Sequence, residues 1–316
     1  MIRYVKHNEI EKKKWDNCID HCTNNLIYAY SWYLDIASPK WEALVEEDYK
    51  SVMPLTGNKK YGVHYLYPPY FAQQLGVFSQ EKIDRKKVKD FLNAIPPHYK
   101  FLEVNLNTHN TFELPEFQVK KNINIELDLN PSYEALRKRF SGDAKRNIKK
   151  SEKHNISLRK NISPSEIIRI FRKNTGKKIT NLTDKNYKVL LTLINKCIEK
   201  GCAEVWGAFT RNHKLCAGAI WFIKNNRAIY IFSATDTEAK KNGGTFFLIN
   251  SFIQGYSGKN MIFDFEGSNI PGIAGFYRGF GPTELVYLQI KKNNFQNPVR
   301  WIYEKRNRLI HRKKYV

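Results

Sequence analysis

Apolar positions along the chain recur in two rhythms. Short runs such as "SVMPLTG" (51–57), "YKFLEVNLN" (99–107) and "AEVWGAF" (203–209) have the length and content of strands. "RKKVKDFLNAI" (85–95) and "TFFLINSFIQGY" (245–256) read as helices. The first third reads as a strand near Ile2–Val5, a helical segment from Ile10 to Ala37, and strands over 41–47, 51–57 and 62–70. The helix at 85–95, the strand at 99–107 and one or two strands across 117–129 follow. The last half reads as strands over 203–209, 215–223 and 228–236, the helix at 245–256, then strands at 260–268 and 284–293. Three strands, a helix, a strand and a strand thus recur at an offset of roughly 160 residues, as expected of one unit used twice.

Helix starts mark the region between the two sets of strands. Asn130 reads as an N-cap with Pro131 at the first helical position. Ser163, Pro164 and Glu166 read as a cap, a first residue and a capping-box partner, and a third helix runs from Thr183 to a stop at Gly201. This order resembles that of GNAT-type acyltransferase domains, in which a mixed sheet splays open to receive an acyl donor. The resemblance implies an α+β fold of two tandem GNAT-like domains, with mixed, mostly antiparallel sheets flanked by helices. The expected domains are 1–118, 119–295 with the transferase cleft, and a basic C-terminal helix at 296–316.

Charge narrows the partners. The 53 Lys+Arg residues outnumber the 30 Asp+Glu, for a formal charge of +23. Such an excess favours a phosphate-rich partner, whether nucleic acid, a nucleotide-linked substrate or an anionic membrane face; solvated surface lysines are the plain alternative. Five irregularly spaced cysteines fit a reducing compartment. The N-terminal "MIRYVKHNEIEKKKW" lacks the apolar core of a signal peptide, and the apolar run 216–223 is too short to span a bilayer, so the expected location is the cytoplasm. P-loop, nucleophile-elbow, H-E-x-x-H and paired C-x-x-C patterns are absent from the sequence, which disfavours metal catalysis and triad hydrolysis.

Two stretches carry candidate chemistry. In "FDFEGSNIPGIAGFYRGFG" (263–281), Asp264 and Glu266 stand two apart at a strand end and are expected on one side, for gripping or deprotonating an amine. Arg278 and nearby N–H groups are expected to hold phosphate or an oxyanion; the alternative is that the acids only cap the loop. In Lys240-Lys241-Asn242-Gly243-Gly244-Thr245, backbone N–H groups at a helix start can form an anion site, or a plain cap. The latter stretch loosely resembles the pyrophosphate turn of GNAT enzymes.

The 263–281 stretch is also similar to the late strand and glycine-rich loop of Fem-type aminoacyltransferases. "SYEALRKRFSGDAKRNIKKSEKHNISL" (132–158) resembles the basic helix that opens their second domain, and "YPPYFAQQLGVF" (67–78) a first-domain motif of their relatives. The resemblance implies acyl or aminoacyl transfer from an activated donor, aminoacyl-tRNA or acyl-CoA, to an amine such as a peptidoglycan precursor. No permanently bound cofactor and no metal are implied. Tyr277 occupies the place where the family loop usually carries lysine, and it joins Glu266 and Asp264 as a candidate catalytic residue. Lys145 and Arg146, on the basic helical stretch, join Arg278 as candidate phosphate contacts. The tail "RWIYEKRNRLIHRKKYV" (300–316) reads as a basic amphipathic helix able to meet tRNA or an anionic membrane, or to dock by its apolar stripe. A different class of function stays open: a non-catalytic nucleic-acid or phosphate-binding protein on the same fold.

Overall fold

A computed structural model describes residues 1–179, 182–267 and 269–295; the expected basic tail lies outside them. The chain divides into two compact units, Met1–Lys121 with the described residues from Tyr287 onward, and Asn122–Val286. The last strand therefore counts with the first unit from Tyr287, whereas the sequence reading placed everything to 295 in the second. The reason is local: that strand pairs with residues 101–105.

The first unit contains β1 (Ile2–Val5), α1 (Lys12–His21), α2 (Ser31–Ala37), β2 (Glu42–Glu46), β3 (Ser51–Leu55), β4 (Gly57–Lys60), β5 (Val63–Leu66), β6 (Phe78–Ser79), α3 (Arg85–Asn93) and β7 (Tyr99–Asn105). The helical segment expected over 10–37 is two helices, because Cys22 leaves the helix in extended conformation. Strands β1, β2, β3 and β6 form one ladder. Strands β5 and β7 are parallel, with α3 in the crossover between them. A core around Leu44, Met53, Phe91 and Leu102 fills the space beneath them.

The second unit starts on β8 (Gln118–Asp128), which enters it at Asn122. Then come α4 (Tyr133–Lys138), α5 (Gly142–Lys153), β9 (Ser157–Lys160), α6 (Pro164–Lys173) and α7 (Asp184–Glu199). Next are β10 (Ala203–Phe209), β11 (Leu215–Lys224), β12 (Arg227–Thr235), α8 (Thr237–Asn242), α9 (Gly244–Tyr256), β13 (Ile262–Asp264), α10 (Pro271–Arg278) and β14 (Thr283–Asn293). Here the sheet runs β8-β13-β12-β11-β10-β9, and β12 and β13 are its parallel pair, bridged by α9. Both units thus carry a strand, a helix and a parallel strand.

Three helix starts were expected. Ser132, not Asn130, caps α4 by accepting from Ala135 N–H. Ser163 precedes Pro164 as expected, but its side chain makes no capping bond. Thr183 opens α7 through a capping box with Asn186.

Helices cover both faces of this sheet. On one, α9 brings Phe252 onto Trp221, with ring centroids 4.4 Å apart. On the other, α6 seats Ile167 where a Cβ on Gly218 would come within 2.5 Å, so glycine is required for that approach. No described helix is long and apolar enough to cross a membrane.

Candidate active site

The second unit opens where β12 loses its parallel neighbour. Strands β12 and β13 pair at only three positions, Arg227 with Ile262, Ala228 with Phe263 and Ile229 with Asp264. Beyond them the chain follows β8 instead: Phe265 N–H donates to Ile125 O at 2.9 Å, and Gly267 lies against Ile123 and Asn124. A gap therefore separates residues 230–235 of β12 from residues 265–267. Past Ile229, β12 keeps its other neighbour β11 but no longer has β13 beside it, so its backbone groups on the gap side have no ladder partner among the described residues.

At the same point β12 carries a β-bulge. Ile220 faces Phe232 and Phe222 faces Ile229, so two residues, Tyr230 and Ile231, stand opposite the single Trp221. The extra residue changes which face the side chains take. Tyr230 packs with Trp221 and Phe263 on the α9 face, whereas Phe232, two positions on, packs on Phe171 of α6. Without the bulge Tyr230 and Phe232 would share a face.

The bulge aims Tyr230 into an aromatic cluster. Its ring lies 6.1 Å from Phe263, 6.4 Å from Phe265 and 6.2 Å from Tyr277. Both the Tyr230 hydroxyl and Trp221 Nε1 are buried, and neither makes a hydrogen bond among the described residues. Burial pushes the Tyr230 phenol up to about 12, against a smaller lowering pull from Ser233. Tyr277 is driven up further, by burial first and then by Tyr230 and Glu266. Both phenols are therefore protonated donors near neutral pH.

Asp264 and Glu266 do not share a face, contrary to the strand-based expectation. Asp264 ends β13 and is 2% exposed. Its carboxylate receives Arg227 Nη1 at 2.8 Å and Glu266 N–H at 2.8 Å. The same guanidinium reaches Glu126 at 2.7 Å, which makes a buried two-carboxylate, one-arginine cluster at the root of the gap. Burial raises the Asp264 carboxyl against the lowering pull of Arg227. Glu266 instead turns out of the strand with φ +59°, followed by Gly267 at +56°. Asp264 thus holds the backbone of Glu266, and the Glu266 side chain stands half-buried at the gap.

The other expected contacts are placed as follows. The 263–281 stretch is not one loop: after Pro271 at its first turn it forms α10, which carries Tyr277 to the aromatic cluster. Arg278, at the end of α10, pairs with Glu284 and is half-exposed. Lys145 and Arg146 lie exposed on α5, Lys145 Nζ on the carbonyl of Lys138 and Arg146 on Asp143.

Lys240, Lys241 and Asn242 belong to α8, with both lysines exposed. Gly243 is a left-handed joint at φ +79°, and Gly244 begins α9. Both glycines are buried. Gly244 N–H donates to Asn242 Oδ1, and the Thr245 hydroxyl bonds that of Thr235. A Cβ on Gly243 would come within 2.3 Å of Asn147 O on α5. Gly243→Ala should therefore cost about 2 kcal/mol or more, from the left-handed backbone and the clash together. Urea unfolding checks this, and a cost below about 0.5 kcal/mol would show that α5 yields freely.

No protein-family model matches the chain, and no curated protein is similar to it in sequence. Solved structures resemble it in fold. FemX, 11% identical, aligns over 91% of this chain and 97% of that one with a TM-score of 0.66. L-PGS from Bacillus licheniformis, 12% identical, aligns over 93% and 96% at 0.52. A tandem GNAT protein from the clavulanic acid biosynthesis pathway, 10% identical, aligns over 94% and 100% at 0.51. The chain has this Fem-type, tandem GNAT-like α+β fold.

Proposed function

We propose that this chain, on the fold it shares with FemX, moves an acyl or aminoacyl group from an activated ester to an amine in the gap between β12 and residues 265–267. The observation that carries the reading is the bulged, one-sided edge of β12, with the buried and unpartnered Tyr230 hydroxyl beside it. Attack of an amine on an ester carbonyl creates a tetrahedral oxyanion, which needs preorganised donors in a site shielded from water. Unladdered backbone groups of β12 and the Tyr230 phenol supply such donors. Glu266, its backbone fixed by Asp264, takes the proton that the amine sheds; the oxyanion then collapses, the ester C–O bond breaks, and the departing alkoxide takes up that proton. No covalent enzyme intermediate is needed.

Of the two donor classes, an aminoacyl ester on RNA fits better than acyl-CoA. Gly243 lies against α5, and Gly244 N–H is already bonded to Asn242, which leaves little of a pyrophosphate cradle at the start of α9. Arg137, Lys138, Lys145 and Lys149 instead outnumber Glu134 and Glu152 along an open groove of about 620 Å³ between α4 and α5, suited to phosphates of a larger donor. The acceptor class is an amine, and the Fem resemblance points to a cell-envelope precursor.

Tyr230→Phe separates this reading from a purely structural or nucleic-acid-binding one. Removing a buried hydroxyl that lacks a partner should leave stability unchanged or raise it by about 1 kcal/mol. Transfer from aminoacyl-tRNA to a panel of amines should fall about 10-fold or more with loss of one oxyanion donor. A Phe variant that keeps the full rate, or a wild-type chain that moves no label from aminoacyl-tRNA or acetyl-CoA, would remove the proposal.

A further inference from the structure

We infer that the groove between α6 and α7 is a binding site for a single strand of RNA. The groove encloses about 670 Å³ and is lined on one wall by Ile168, Arg169, Arg172 and Lys173, and on the other by Tyr187 and Lys188. Helical spacing puts each set on one face, since 168, 169, 172 and 173 repeat at steps of three and four, as do 184, 187, 188 and 191. The opposite side of α6 is committed to the sheet through Ile167 on Gly218 and Phe171 on Phe232, so the cationic side faces outward.

The lining has the chemistry of a strand-binding groove, with positive walls for phosphates and flat surfaces for bases. Among the described residues, Lys173 and Lys188 make no ion pair, and Arg169 has only Glu166 at 3.9 Å. Arg172 is fixed in place: its Cζ lies 4.8 Å from the Tyr187 ring centroid, and its Nη2 donates to Asp184 at 2.6 Å. Half-exposed and with one face on Tyr187, the guanidinium offers a planar surface to a base. Ile168 and Leu191 supply the apolar floor. Lys177 and Lys178 extend the positive surface past the end of α6, and Lys185 beside the start of α7, so residues 164–192 carry seven cations against Glu166 and Asp184. Cations on both walls with the Arg172 plane between them suit a single strand, whose phosphates and unpaired bases can meet both at once.

The inference does not rest on the transfer reading, and its test uses no donor or acceptor. The probe is a short fluorescein-labelled oligouridylate, titrated with the full chain at several salt concentrations. Arg169→Glu, Lys173→Glu and Lys188→Glu combined should weaken binding about 10-fold or more. They should also flatten the dependence of log K on log salt by about 2, near 0.7 for each phosphate that no longer meets a cation. A control with the same charge change, Lys13→Glu, Lys89→Glu and Lys120→Glu, should cost under about 3-fold. Should the first triple fail to fold, Lys173→Gln with Lys188→Gln replaces it, with about two thirds of the change in slope. Equal weakening by test and control variants would overturn the site, since binding would then follow net charge alone. Lack of RNA binding at low salt overturns it too, as does retention only on phosphatidylglycerol vesicles, which would assign the cations to a lipid surface.

Discussion

Replacing Arg227 with Met should destabilise the protein by about 3–5 kcal/mol, the usual cost of leaving buried charge without its partner. The guanidinium bridges Glu126 at 2.7 Å and Asp264 at 2.8 Å, and the two carboxylate side chains are 11% and 2% exposed. Burial pulls the pKa of the Arg227 guanidinium down, and the two carboxylates outweigh it. Without the guanidinium, Asp264 must ionise in a poorly hydrated site or stay protonated. Asp264 already has its carboxyl raised by burial. A raised acid favours the folded state most below its unfolded value, and that contribution is lost as pH rises through the folded one. The Met variant should therefore recover stability on acidification from neutral pH, before general acid unfolding sets in. Adding Glu126→Gln and Asp264→Asn should restore most of the stability at neutral pH. Urea titrations across this pH range make the measurement, and a Met variant within about 1 kcal/mol of wild type would show that the cluster contributes no net stability.

Glu266→Gln should lower amine transfer by about 10²-fold while leaving the melting temperature in place, the range expected on losing a general base. The side chain stands half-buried at the gap, on a residue whose left-handed backbone is held by the Asp264 carboxylate through its N–H. Glutamine keeps the size and the backbone bond but cannot take a proton. Steady-state rates with the best amine acceptor decide the matter. Full activity would remove Glu266 from the chemistry, and a large drop in melting temperature would make the carboxylate a structural one.

Strands β10, β11 and β12 were legible because each is a continuous apolar run bounded by polar turns, and the expected 203–209 coincides with β10. Helix α10 was not. "PGIAGFYR" carries two glycines and reads as a turn, and its helix depends on contacts distant in sequence, with Ala274 buried and Tyr277 stacked near Phe265. The acids misled for a related reason. Period-two reasoning holds only while a strand continues, and β13 ends at Asp264. Arg227, 37 residues before Asp264 and 101 after Glu126, leaves no local mark of its partners. The bulge is silent as well, since "AIYIFSATD" has no glycine or break where the register changes.

That bulge makes the site sensitive to length more than to identity. A substitution at Ile231 alters one side chain. Loss of one codon at 228 or 229 would let β12 pair regularly with β11 and turn Tyr230 and Phe232 toward a common side. The sheet would still have strands to pair and a core to bury. Single-residue insertions and deletions are thus the shortest genetic route by which a lineage could keep this fold and abandon its chemistry.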